Sequence, residues 1–179
     1  MFKFKIDKGI ITEAIRQTDN FNFGKRGKFD GTKKQQTFGI IAEQMIRDLF
    51  DAGKIDGSIG YDGGYDIKIK DKLIDVKTMI RNCDPMDGFV SNFNGLQIKH
   101  LANYFIFTSI NQKKRTLTVC GWITKKDFLE KADLFKEGEY RFRRDKTKFK
   151  TKSDLYEINN NKLNNVNTPE QLIKQIKND

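Results

Sequence analysis

One stretch constrains this chain more than any other: Gly63-Gly64-Tyr65-Asp66-Ile67-Lys68-Ile69-Lys70-Asp71-Lys72-Leu73-Ile74-Asp75-Val76-Lys77-Thr78. Tyr65, Ile67 and Ile69 alternate with Asp66, Lys68 and Lys70, the period of two that marks a half-buried strand. Ile74 and Val76 then alternate with Leu73, Asp75 and Lys77, so the segment reads as a β-hairpin. With Asp71-Lys72 as the turn, Lys70 faces Leu73, Ile69 faces Ile74, Lys68 faces Asp75 and Asp66 faces Lys77. Ile67, Ile69, Ile74 and Val76 then share an apolar face, and Asp66, Asp75 and Lys77 emerge together on the other.

That polar face carries the chemistry. In this register Asp66 and Lys77 are cross-strand partners about 5 Å apart at Cβ, with Asp75 diagonal at about 7–8 Å. Two carboxylates so placed suit a hard divalent cation, which prefers oxygen ligands. A lysine beside them suits an attacking water or negative charge growing on a phosphate oxygen. A solvated face carrying an ordinary Asp–Lys pair remains open.

Asp66, followed by Asp75-Val76-Lys77 on a second strand, resembles the D…(D/E)-x-K signature of the PD-(D/E)xK nuclease superfamily, over about residues 37–107. In that family an upstream helix adds an acidic residue, and Glu43 in Phe38-Gly39-Ile40-Ile41-Ala42-Glu43 stands at the matching place. Tyr65 replaces the proline that precedes the first aspartate in many members. The resemblance implies a restriction-endonuclease-like fold. It also implies a Mg²⁺ or Mn²⁺ site built from Asp66, Asp75, the Val76 carbonyl and Glu43, with Glu43, Asp66, Asp75 and Lys77 as the catalytic set.

The totals agree with a nucleic-acid partner. A chain of 179 residues is expected to form one domain with a modest core. Its net charge of +10 favours a polyanion, although Lys-, Asn- and Ile-rich composition can also arise from genome bias. Cys83 and Cys120 are too few for a disulfide framework, and the N-terminus has no apolar leader, so a reducing cytoplasm is expected. No stretch has the length of a membrane span.

Along the chain, Phe2 to Gln17 alternates and then turns helical, with Ile10, Ile11, Ala14 and Ile15 as a buried stripe. Asn20 to Gln36 is a Gly- and Lys-rich loop whose Lys25, Arg26 and Lys28 suit a phosphate backbone or a plain solvated loop. Phe38, Ile41, Ala42, Met45, Ile46 and Leu49 recur at helical spacing, giving a helix over 35–52 that ends before Gly53. Glu43 sits at the edge of that stripe, one turn before Arg47. A short strand is expected near 88–91 and a helix over 96–103, where Gln97 and Lys99 stand where related nucleases often place cleft residues. Residues 104–110 and 116–123 read as buried strands around a turn. Thr124, with Asp127 three residues on, starts a helix that buries Phe128, Leu129 and Ala132.

After Gly138, Arg141, Arg143, Arg144, Lys146, Lys148 and Lys150 interleave with Tyr140, Phe142 and Phe149. That pattern suits a phosphate-binding ribbon or a Lys-protected solvated edge. Residues 159–167 read as a low-complexity linker, and Thr168-Pro169-Glu170-Gln171 opens a terminal helix through Leu172, Ile173 and Ile176. The expected architecture is α/β: a mixed sheet flanked by helices over residues 1–137, with a basic extension over 138–179 packed on the same domain. The expected function is metal-dependent phosphodiester hydrolysis, in DNA before RNA. A non-catalytic nucleic-acid-binding protein on the same fold and a dimeric junction resolvase are the alternatives. Glycosidase chemistry fits poorly, because the acids crowd one strand pair beside a lysine in a basic chain.

Overall fold

Capping and apolar spacing set the helices. The computed structural model describes residues 1–23, 31–59, 64–142 and 146–179, and among these it has four α-helices and ten strands. Strand β1 (Phe2–Lys5) leads to helix α1 (Lys8–Asn20), which Asp7 caps by accepting the Gly9 N–H at 2.6 Å. Helix α2 (Lys33–Leu49) starts at a full capping box, with Thr32 and Gln35 satisfying each other's amides. It buries Ile41, Ala42, Met45 and Ile46 as the spacing requires. On α1 only Ala14 of the expected stripe is fully buried. Ile10 and Ile11 are partly buried against the same core, and Ile15 is exposed.

Strands β2 (Ile67–Ile69), β3 (Lys72–Arg81), β5 (Tyr104–Asn111) and β6 (Thr116–Thr124) join β1 in a five-stranded mixed sheet, ordered β1-β6-β5-β3-β2. Only β3 and β5 run parallel. Every residue of β5 is buried, as its unbroken apolar run demands of a central strand. A smaller antiparallel sheet, β4 (Val90–Asn94), β10 (Leu155–Asn159) and β7 (Asp133–Phe135), lies in the order β4-β10-β7. Helix α3 (Lys125–Lys131) starts on Thr124, which accepts the Asp127 N–H at 3.1 Å. It buries Phe128 but leaves Leu129 exposed.

Two apolar clusters sandwich the main sheet. One joins Ile41, Met45, Ile67, Ile74, Val76 and Ile106 to the terminal helix α4 (Pro169–Asn178) through Leu172 and Ile176. The other is aromatic, with Phe93, Phe105 and Phe107 gathered around Phe128. These are the faces that side-chain alternation along β3 divides.

Three expectations are corrected. The expected helix over 96–103 is only a 3-10 turn, Gly95–Lys99, because Asn94 caps a single turn and the chain leaves at His100 for β5. The expected linker over 159–167 is packed: Asn160 donates to the Met86 carbonyl at 2.9 Å, Asn164 exchanges backbone bonds with Trp122, and Leu163 and Val166 are buried. The hairpin turns at Lys70-Asp71, one residue earlier than expected, with Lys70 at φ 55°. Its pairing is therefore Ile67↔Ile74, Lys68↔Leu73 and Ile69↔Lys72.

Candidate active site

A two-residue register change keeps every side chain on its face, whereas a one-residue slip would invert them. The change moves Asp66 away from Lys77 and alongside Ile74–Val76. Its N–H donates to the Ile74 carbonyl at 2.8 Å, and its carboxylate accepts the Val76 N–H at 2.6 Å. The expected Asp66–Lys77 cross-strand pair is thus replaced: Lys77 reaches along its own strand to Asp75, Nζ to Oδ2 2.6 Å. The physical reason lies at the turn. Moving it back buries Ile67 directly against Ile74 and lets Lys72 lie over Tyr104, with its ammonium 3.1 Å from the hydroxyl.

The site forms where β2 stops and, among the described residues, no further strand pairs with that edge of β3. Asp75 and Lys77 pair in register with Phe105 and Phe107 of β5, so they share the aromatic face, and the Lys77 ammonium lies 5.1 Å from the Phe93 ring centre. Helix α2 packs against the opposite face. Glu43 reaches the same edge from there, with one carboxylate oxygen 3.6 Å from Arg47. Burial, then the charges of Glu43 and Asp75, hold the Asp66 carboxyl well above the usual carboxylate range, while Lys77 and the Val76 N–H pull it back. Asp66 therefore lies within the electrostatic reach of two other carboxylates and one ammonium.

The donor chemistry fits a hard divalent cation. Carboxylates from Asp66 and Asp75 come with Glu43 in electrostatic reach. The Val76 carbonyl leaves the strand on the same edge as the Val76 N–H that Asp66 accepts, because the two groups of one strand residue point the same way. A buried acid whose charge is opposed by two neighbours is what a divalent ion relieves. As placed, Asp75 is engaged by Lys77 and Asp66 by a backbone amide. Among the described residues, no three His, Cys, Asp or Glu side chains close around a point that could hold a metal ion.

Two participants were not foreseen as part of the site. Arg47 donates to the Asp66 carbonyl at 2.5 Å, the Ala52 carbonyl at 2.8 Å and the Gly53 carbonyl at 3.1 Å, pinning the hairpin entry to the end of α2. Its only sequence signal was the helical spacing from Glu43. Phe93 arrives from β4, and nothing in the local pattern links it to Lys77.

The expected nucleic-acid contacts divide. Lys25, Arg26, Lys28, Arg143 and Arg144 lie outside the described residues. Gln97 is buried in the 3-10 turn, so it presents no free surface, whereas Lys99 is exposed. In the ribbon formed by β8 (Tyr140–Phe142) and β9 (Lys148–Lys150), Lys148 and Lys150 are exposed, as is Lys146. Arg141 is not a free cation: it turns inward to Glu157, Nε to Oε2 2.8 Å, and lies over Phe135. Comparison with family models, curated proteins and solved structures finds no match. No helix among the described residues is long and apolar enough to cross a membrane.

Proposed function

We propose that this chain is a metal-dependent nuclease that hydrolyses phosphodiester bonds, in DNA before RNA. The observation that carries the reading is that the buried Asp66 carboxylate accepts the Val76 N–H between Asp75 and Lys77, themselves paired at 2.6 Å, with Glu43 of α2 in electrostatic reach. Their order along the chain is that of the D…(D/E)-x-K signature they resemble, which supports a restriction-endonuclease-like core. Asp66 and Asp75 hold Mg²⁺ or Mn²⁺, the Val76 carbonyl adds a ligand, and Glu43 contributes directly or through water. Such an ion, when bound, polarises a phosphate oxygen and acidifies bound water.

The chain's own groups do the rest. Arg47 fixes the Asp66 backbone, so the first carboxylate does not drift from the second. Lys77, confined between Asp75 and the Phe93 ring, keeps an ammonium at the edge where a phosphate would lie, and there it orients the attacking water or offsets charge developing on oxygen. The aromatic wall behind it excludes water and strengthens that interaction.

Incubation with linear, circular, single-stranded and branched DNA in Mg²⁺, Mn²⁺ or EDTA tests the reading. Cleavage with either metal, absent in EDTA and in Asp75→Asn, is expected. Full activity in EDTA refutes the mechanism. Binding without cleavage under every condition leaves a non-catalytic nucleic-acid-binding protein.

A further inference from the structure

The β8–β9 ribbon turns two aromatic rings and two lysines to the same outward face. Tyr140 and Phe142 alternate with Arg141, and each of the two residues is 59% exposed. Arg141 is the inward residue, tied to Glu157 and stacked over Phe135, so the rings point away from the protein body. Register places Tyr140 opposite Lys150 and Phe142 opposite Lys148, so two rings and two ammonium groups share one outward face. The Lys148 ammonium lies 4.9 Å from the Tyr140 ring centre.

The ribbon's root is firmly bonded. The Gly138 N–H donates to the Thr151 carbonyl and the Thr151 N–H to the Glu139 carbonyl, the Thr151 hydroxyl donates to the Lys136 carbonyl, and Lys136 pairs with Asp154 at 2.9 Å. Glu157, the anchor for Arg141, stands on β10, and its neighbour Tyr156 pairs with Phe93 of β4, the ring that Lys77 covers. A rigid root and outward rings are the reverse of how an edge ribbon protects itself, since apolar side chains exposed in pairs serve contact rather than solubility.

We infer that this face is a stacking platform for unpaired nucleobases, so that the substrate class is DNA with single-stranded or unstacked nucleotides rather than plain duplex. Phosphate-binding lysines alone would serve any duplex, and they carry no information about base pairing. Aromatic rings flanked by lysines act differently: each ring stacks a base that has left its helix while the cations track the backbone. A chain of net charge +10 matches such a polyanion and argues against a basic protein partner. The inference rests on the nuclease reading for what happens to the strand once bound, but not for the binding.

The test is fluorescence anisotropy in EDTA with oligo(dT), a blunt duplex of equal length, a flapped duplex and an RNA oligomer. Wild type is compared with Tyr140→Ala/Phe142→Ala, Tyr140→Phe/Phe142→Tyr and Lys148→Ala/Lys150→Ala. The alanine pair should lose about 5- to 150-fold affinity per stacked base on single-stranded and flapped DNA, with little change on duplex and no change in salt slope. The aromatic exchange should restore binding, and the lysine pair should weaken every nucleic acid and flatten the salt slope. Equal loss on duplex and single strand, unchanged binding by the alanine pair, or a preference for RNA overturns the inference; the second result would leave the rings to a protein partner. Parallel Mg²⁺ reactions separate the two readings. Ring-dependent binding without cleavage by wild type supports the platform and removes the nuclease. Cleavage of flapped DNA by the alanine pair as fast as by wild type does the reverse.

Discussion

Replacing Lys77 by methionine keeps the stem and deletes the ammonium. Nζ stands 2.6 Å from Asp75, and the two side chains are 15% and 6% exposed. That places the pair outside the surface regime, in which an ion pair contributes about 0–1 kcal/mol. Removing one member of a buried pair strands the other, at a cost of about 3–5 kcal/mol. The stranded Asp75 also stays near Asp66, which keeps the Val76 N–H, and near Glu43, which keeps Arg47 at 3.6 Å. For a chain of 179 residues each kcal/mol moves Tm by about 2–4 °C, so Lys77→Met should melt roughly 6–20 °C below wild type. The double variant Lys77→Met/Asp75→Asn has no stranded charge and should recover most of the loss. Urea denaturation of the four proteins in EDTA closes a double-mutant cycle, with an expected coupling of about 2 kcal/mol or more. Mg²⁺ should narrow the deficit of Lys77→Met, because the ion takes over the missing positive charge. Additive single effects, or a Lys77→Met protein as stable as wild type, would refute the buried-pair argument.

Three further outcomes are expected. The raised Asp66 carboxyl means the native state holds more protons than the unfolded chain above the ordinary value of 3.8. Its contribution to stability is therefore complete below that value and is lost as pH rises through the raised one. Urea midpoints at acid and neutral pH should show Asp66→Asn gaining on wild type toward neutrality, and a gain by wild type would contradict the assignment. Gly64 sits at φ 82°, and a Cβ there would stand 2.4 Å from the His100 ring; Gly64→Ala should cost about 2–4 kcal/mol in urea titrations and slow cleavage by shifting the entry to Asp66. Burial pushes the Cys120 thiol up to about 12, while Cys83 is exposed, so native protein should take one equivalent of iodoacetamide, and mass spectrometry should place it on Cys83.

Much of the site's parity was legible in the sequence, and its register was not. Alternation with period two tells which residues share a face, and Asp75 and Lys77 do share one. It cannot distinguish pairings that differ by two residues, and the turn that decides between them uses Lys70 at positive φ with no glycine to announce it. Helix α2 and the central strand β5 were readable because each carries its own periodicity or unbroken apolar run. The segment over 159–167 misled because its asparagines look like linker composition. Asn160 and Asn164 instead satisfy particular groups on Met86 and Trp122, far away in sequence. Phe93 beside Lys77, and Arg141 turned inward to Glu157, depend on the way the small sheet closes over the large one. No local pattern records that closure.

The central claim is that the open edge of β3 holds a divalent cation, and anomalous scattering from crystals soaked in Mn²⁺ addresses it most directly. The account predicts a manganese peak bound by the Asp66 and Asp75 carboxylates, with Lys77 released from Asp75, and no such peak in Asp75→Asn. A peak confined to other residues, or an empty β3 edge at a Mn²⁺ concentration that supports DNA cleavage, would contradict it.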